Sequence, residues 1–191
     1  MKKISRILVL SSCIVLILTY FLPIWSISLD APQYPEGIGM HIWLYTIDGH
    51  HPHDLDNING LNHYIGMKKI VPDSIPELKL MPYIMGFMIL LALVAFLINK
   101  KWMVWIWVVL FILIMIVGLY DYYIWGYDYG HDLNPQAAIK VPGMSYQPPL
   151  IGSKKLLNFT STSWPAAGGF VIGISILMGM TAIFLDSRKG N

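Results

Sequence analysis

Charge is scarce in this chain. Of its 191 residues only 13% are charged, while 55% are hydrophobic. With a mean hydropathy of +0.57, the composition is too apolar for an ordinary soluble domain. Cysteine is nearly absent. Cys13 is the single one, so no internal disulfide staples either long polar segment. It lies mid-way along the first apolar run and reads as a small buried residue. Catalytic signatures are missing too. There is no phosphate-binding loop, no paired-cysteine metal motif, no His-Glu-x-x-His zinc helix and no Gly-x-Ser-x-Gly elbow. The apolar runs hold no histidine and no carboxylate array of the kind a proton-driven transporter needs. An autonomous enzyme is not expected.

What is present is four long apolar runs, at 4–24, 80–98, 102–123 and 164–185. Each approaches the roughly 20 residues a helix needs to cross a bilayer. They lack the period-two alternation of a membrane barrel strand, so helices are expected. Lys2, Lys3 and Arg6, then Lys100 and Lys101, then Arg188 and Lys189 occupy the short flanking pieces, including the link 99–101 and the tail 186–191. The positive-inside rule assigns those pieces to the cytoplasm. The first run continues through Phe21–Ile24 into Trp25 with no small-x-small cleavage site, so it reads as an uncleaved anchor. The long segments 25–79 and 124–163 then lie outside, in the periplasm if the host is bacterial. Trp25, Trp43, Trp102, Tyr122, Tyr123, Trp125 and Trp164 cluster at the run borders, as interfacial belts do. The expected fold class is an all-α membrane protein. Its four transmembrane helices would carry a small mixed α/β or irregular extracytoplasmic cap.

Within segment 25–79, the β-branched and aromatic run Gly39–Ile47 predicts a strand of about seven residues. Asp54–Met67 predicts a helix or turns, N-capped by Asp54, Asp56 or Asn57. Pro72 and Pro76 bar a regular helix from there into the second span. Segment 124–163 is rich in proline and glycine. It also carries Ile139, Val141, Met144, Tyr146, Leu150, Ile151, Leu156, Leu157 and Phe159, too many apolar groups for a disordered linker. It is expected to be irregular but ordered, packed with the first segment.

All six histidines lie in the outer segments: His41, His50, His51, His53, His63 and His131. Imidazole is the commonest protein metal ligand. His63 and Met67 are spaced to share a helix face. Met40–His41 and His131 with Met144 are further imidazole and thioether pairs. Such donors suit copper, above all Cu(I). Against this, His-x3-Met arises often by chance, and adjacent residues on a strand point to opposite faces, so Met40 and His41 would not both join one site. His50, His51 and His53 form a short tract that could bind a metal or be a solvated turn. Asp121, at the outer end of the third span, is a functional suspect if it sits at membrane depth. At the interface it would be a solvated carboxylate or pair with an outer lysine. Gly169 and Gly173 allow close helix approach, within the bundle or to a partner subunit.

Three stretches carry a family resemblance: Ala31–Gly37 (APQYPEG), Asn59–Met67 (NGLNHYIGM) and Lys140–Gly152 (KVPGMSYQPPLIG). They resemble the NosB-like proteins, small four-span membrane proteins encoded in nitrous oxide reductase gene clusters of the clade II type. The resemblance spans both outer segments and the topology. It implies a bacterial cytoplasmic-membrane protein serving the periplasmic copper enzyme that reduces nitrous oxide, through assembly, copper supply, anchoring or electron delivery. His63, Met67 and Met144 fall inside the shared motifs, while His50, His51 and His53 do not. No ligand role follows from it.

The sequence therefore predicts a membrane-anchored accessory protein that binds copper or docks a copper enzyme. The alternatives are a metal-free interaction subunit and, third, a small transporter or quinol-linked module built on Asp121. The expected partners are the lipid bilayer and nitrous oxide reductase or its assembly factors, not nucleic acid.

Overall fold

The apolar runs do form helices, but two extend beyond their hydropathy borders. The computed structural model describes residues 1–156 and 158–187; Leu157, Arg188 and Lys189 lie outside the described residues. In chain order it has helix α1 (Lys3–Ile17), continued by a tighter turn at Leu18–Tyr20, then strands β1 (Trp25–Ala31), β2 (Tyr34–Ile42) and β3 (Ile47–Gly49). Helices α2 (Asp54–Ile65), α3 (Pro76–Ile98) and α4 (Lys101–His131) follow, then β4 (Gly152–Leu156), β5 (Phe159–Pro165) and helix α5 (Ala167–Ser187). Helices α1, α3, α4 and α5 are long and apolar enough to cross a membrane. The protein is thus a helical membrane protein by length and composition, with a sheet at one end.

Helix α3 starts at Pro76 rather than residue 80. Proline fits the first helical position because the N–H it lacks would have no intrahelical partner there. Helix α4 runs on to His131, past the expected end at 123. Its 31 residues span about 46 Å at about 1.5 Å each, against a hydrocarbon core of about 30 Å. The helices pack around Trp107, which is fully buried and donates its indole N–H to the Met88 carbonyl at 3.0 Å. Cys13 is buried in this same core.

The five strands form one antiparallel sheet in the order β3-β2-β1-β5-β4. This corrects two expectations. The run Gly39–Ile47 is not one strand: the chain reverses at Trp43–Thr46, where the Trp43 N–H donates to the Thr46 carbonyl at 2.8 Å. Leu44 at that turn is 1% exposed and sits in the helix core, so its burial, not a strand face, explains the apolar run. Segment 124–163 is not irregular throughout. It opens with the last turns of α4 and closes with the β4–β5 hairpin, whose first strand, Gly-Ser-Lys-Lys-Leu, carried little strand signal.

Registry makes the sheet two-faced. Ile27 pairs with Met40 and Ser163, and Leu29 with Ile38 and Ser161. These residues face α2 and the outer turns of α4, closing a second core with Ile58 and Ile70 and flanked by Trp125 and Tyr129. On the other face Ser26 pairs with His41 and Trp164, and Ser28 with Gly39 and Thr162. Lys68 adds a strap across the unit, bonded to Asp128 at 2.8 Å and Asp132 at 2.9 Å. Both are exposed pairs of small energetic weight.

The central strand β1 follows α1 through a short link, and its neighbour β5 leads through Ala166 into α5. The Gly168 N–H donates to the Pro23 carbonyl at 2.8 Å. A Cβ on Gly169 would come within 2.5 Å of the Ile24 carbonyl oxygen, whereas one on Gly173 would meet open space. Gly169 is therefore occupied within the chain and is not free for a partner. Gly169→Ala should destabilise the protein by about 1–3 kcal/mol, because backbone cannot yield to the added methyl. Gly173→Ala should leave Tm unchanged or raise it. Thermal unfolding of the two variants in detergent checks the contrast; equal Tm values would refute the packing.

Candidate functional site

The most connected polar cluster surrounds His50, in the turn between β3 and α2. Its backbone N–H donates to the Gly39 carbonyl at 3.0 Å. Its ring Nε2 is hydrogen-bonded with the Ser26 hydroxyl at 2.9 Å. The His41 ring lies 4.2 Å away, centroid to centroid. Gly39 makes room for this: a Cβ there would fall 2.4 Å from the His50 ring. Burial, followed by the neighbouring His41, pushes the His50 pKa below its usual 6.5, with Asp54 partly opposing.

Asp54 organises the loop behind the cluster. Its carboxylate accepts the Gly39 N–H at 3.1 Å and the His51 N–H at 3.2 Å, and lies 3.4 Å from the His51 ring nitrogen. It is 5% exposed. The expected capping role of Asp54, Asp56 or Asn57 does not occur. The position before α2 is His53, in a left-handed conformation with φ of 74°, and its side chain makes no cap. Asp54 is instead the first helical residue, where a carboxylate suits the positive end of the helix dipole.

A second cluster lines the exposed face of α2. His63 and Met67 share an open groove of about 340 Å³ with Asp56, Asn59 and Lys69. They do not meet on a helix face as expected. Helix α2 stops at Ile65, and Gly66, with φ of 82°, turns the chain before Met67. The Gly66 N–H caps the helix by donating to the His63 carbonyl at 3.4 Å.

The other sequence candidates are dispersed. Met40 is 4% exposed and belongs to the apolar core behind the sheet, while His41 lies on the opposite face beside His50. His131 stacks on Tyr127 at 3.9 Å and donates from Nδ1 to the Tyr127 carbonyl at 3.0 Å. Met144 is half-buried in the loop before β4, its N–H bonded to the Val141 carbonyl. Asp121 is exposed on α4 and feels Glu77 of α3; the outer Lys68 pairs with Asp128 and Asp132 instead. Among the described residues, no three His, Cys, Asp or Glu side chains converge on a possible metal position. His63 and Met67 share one groove, while His41, His131, Met40 and Met144 lie in separate surroundings. Sequence reasoning passed over Ser26 and gave His50 little weight. The missing signal was strand registry, which sequence alone did not reveal.

No protein-family model and no curated protein matches the chain.

The lowered His50 pKa has a signed consequence. As pH falls below 6.5 the unfolded chain takes up this proton before the folded one, so folding loses stability until the folded value is passed. Above 6.5 the contribution is complete. The Tm of the protein should therefore fall as pH drops below about 6.5, and His50→Gln should make that fall shallower. Parallel melting curves from pH 8 to pH 5 would test it; identical slopes in both proteins would exclude the role.

Proposed function

We propose that this chain is a multi-pass membrane anchor whose sheet unit forms an extracytoplasmic cap for docking a partner. The carrying observation is the two-faced sheet. Its inner face packs on α2 and α4, which leaves its outer face turned away from the core. That outer face presents Ser26, Ser28, Thr162 and Ser153 with the exposed Trp164 and Asp48 around the His41–His50 pair. Hydroxyls with a rim aromatic suit a polar protein surface, where hydrogen bonds supply specificity and an aromatic anchor supplies affinity. The orientation is supported by Lys2, Lys3, Arg6, Lys100 and Lys101, which gather at the opposite ends of the helices. The resemblance to NosB-like proteins supplies the partner class: a periplasmic copper enzyme, nitrous oxide reductase, in a bacterial cytoplasmic membrane. In this reading the helices hold the cap beside the enzyme and the cap does no chemistry of its own.

A second reading, copper handling, is favoured by one feature, the shared groove of His63 and Met67. Imidazole plus thioether would hold Cu(I) as cargo in an oxidising compartment.

Both readings are separable. The purified full-length chain should capture nitrous oxide reductase, and Trp164→Ala with Ser28→Lys should weaken capture at least about tenfold, as loss of an interface anchor does. Undiminished capture by that variant would overturn the docking face. His63→Ala and Met67→Ala should leave capture intact. If they also leave the copper content of Cu(I)-loaded protein unchanged, the copper reading falls.

A further inference from the structure

Between the apolar face of the sheet and α2 lies a cavity of about 60 Å³. Its walls are drawn from the whole unit, including Ile27, Met40, Ile58, Met67 and Trp125. Besides Asn62, whose amide nitrogen is bonded to the Lys68 carbonyl, two wall residues are chemically out of keeping. Tyr146 is 2% exposed and Ser161 is 1% exposed, and neither hydroxyl has a hydrogen-bond partner within the protein. Both residues line this same cavity. Native interiors rarely leave a buried hydroxyl unpaired, because it has given up its bonds to water. Two such groups on one cavity mark the place of an occupant that can bond them.

We infer that this cavity is a binding site for a small, neutral, weakly polar molecule held by the hydroxyls of Tyr146 and Ser161. The size sets limits. A cavity needs about 10–15 Å³ of such space for one water, while one of about 150 Å³ has taken benzene. At about 60 Å³ the inner space exceeds a single water and is smaller than one that takes a ring. The walls set the charge. Among the described residues, no Asp, Glu, Lys, Arg or His lines the cavity, and an ion there would be desolvated without a counter-charge. Apart from the Asn62 amide, whose nitrogen is bonded to the Lys68 carbonyl at 3.3 Å, the remaining walls are mainly aliphatic, aromatic and thioether, which give a cluster of waters few partners. The fitting class is a gas-sized molecule with one atom able to meet a hydroxyl. This assignment rests on the cavity alone and is independent of the docking face.

The test uses crystals of the full-length chain pressurised with xenon and, separately, with nitrous oxide, a triatomic molecule with a weak acceptor oxygen. Both gases should occupy the cavity. In the Tyr146→Phe/Ser161→Ala double variant, xenon should remain, while nitrous oxide occupancy at equal pressure should fall about threefold, the effect of losing one net hydrogen bond. Ile58→Phe should fill the space and expel both. Ordered water on Tyr146 and Ser161 that neither gas displaces would overturn the inference. So would equal nitrous oxide occupancy in the wild type and the double variant, which keeps the test decisive if Ile58→Phe fails to fold. Neither gas probes capture of a partner protein, so failure here leaves the proposed function standing.

Discussion

The contact on which the rest depends is backbone against backbone, where the start of α5 crosses the link between α1 and β1. The Gly168 N–H binds the Pro23 carbonyl, the Ala166 N–H binds the Ile24 carbonyl at 3.1 Å, and the Ile24 N–H binds the Ile42 carbonyl at 2.8 Å. No side chain separates these strands of chain, so the joint has little freedom to slide. It holds β1 between β2 and β5 in one register. Side chains alternate along a strand, and a slip of one residue would turn Ile27 and Met40 outward and Ser26 and His41 inward. The apolar core, the hydroxyl face and the cavity behind it would all be lost together. Two glycines at a helix start thus decide what a sheet displays.

The sheet in turn explains why adjacent residues have unrelated roles. Met40 is core and His41 is surface because successive strand residues point to opposite faces. Gly39, one residue earlier, lets the His50 ring lie against the strand, which brings His50 to Ser26 and His41. Asp54 then closes the loop by taking N–H groups from both Gly39 and His51. The histidine tract is therefore not uniform. His50 is built into the sheet, while His51 and His53 remain exposed.

The spans were legible in the sequence because hydropathy is a local property, and so was the opposed placement of Met40 and His41. Three features were not legible, each for a physical reason. The turn at Trp43–Thr46 looked like strand because Leu44 is apolar for the sake of the helix core. The outer turns of α4 were hidden because Tyr122 and Trp125 read equally as an interfacial belt, yet with Tyr129 they cover the sheet core. The β4–β5 hairpin was hidden because its inward positions include Ser161 and Ser163 rather than branched aliphatics; Ser163 is spent on bonds with Trp25 and the Leu150 carbonyl. One stop signal was available and overlooked. Glycine after a polar helix commonly marks its end, and Gly66 does so two residues past Asn62–His63–Tyr64, breaking the helical spacing that linked His63 to Met67.

The placement of the thioethers bears on the two proposed readings. A soft metal site needs its sulfur ligands exposed to the donor and to the arriving ion. Met40 is enclosed among Ile27, Ile38 and Ile58, where a monovalent cation would lose its hydration without gaining an anionic ligand. Met67 lies on both the groove and the cavity wall, so its side chain is shared between surface and interior. Drawing it outward to a metal would open that wall. His131 is turned back on its own helix by the Tyr127 carbonyl. What remains for copper is one imidazole and one shared thioether, a weak pair by count and by cost. The outer sheet face faces no such conflict, since none of its groups is required to seal the core. The proposed recognition of a partner is thus a role that conflicts with none of these packing demands.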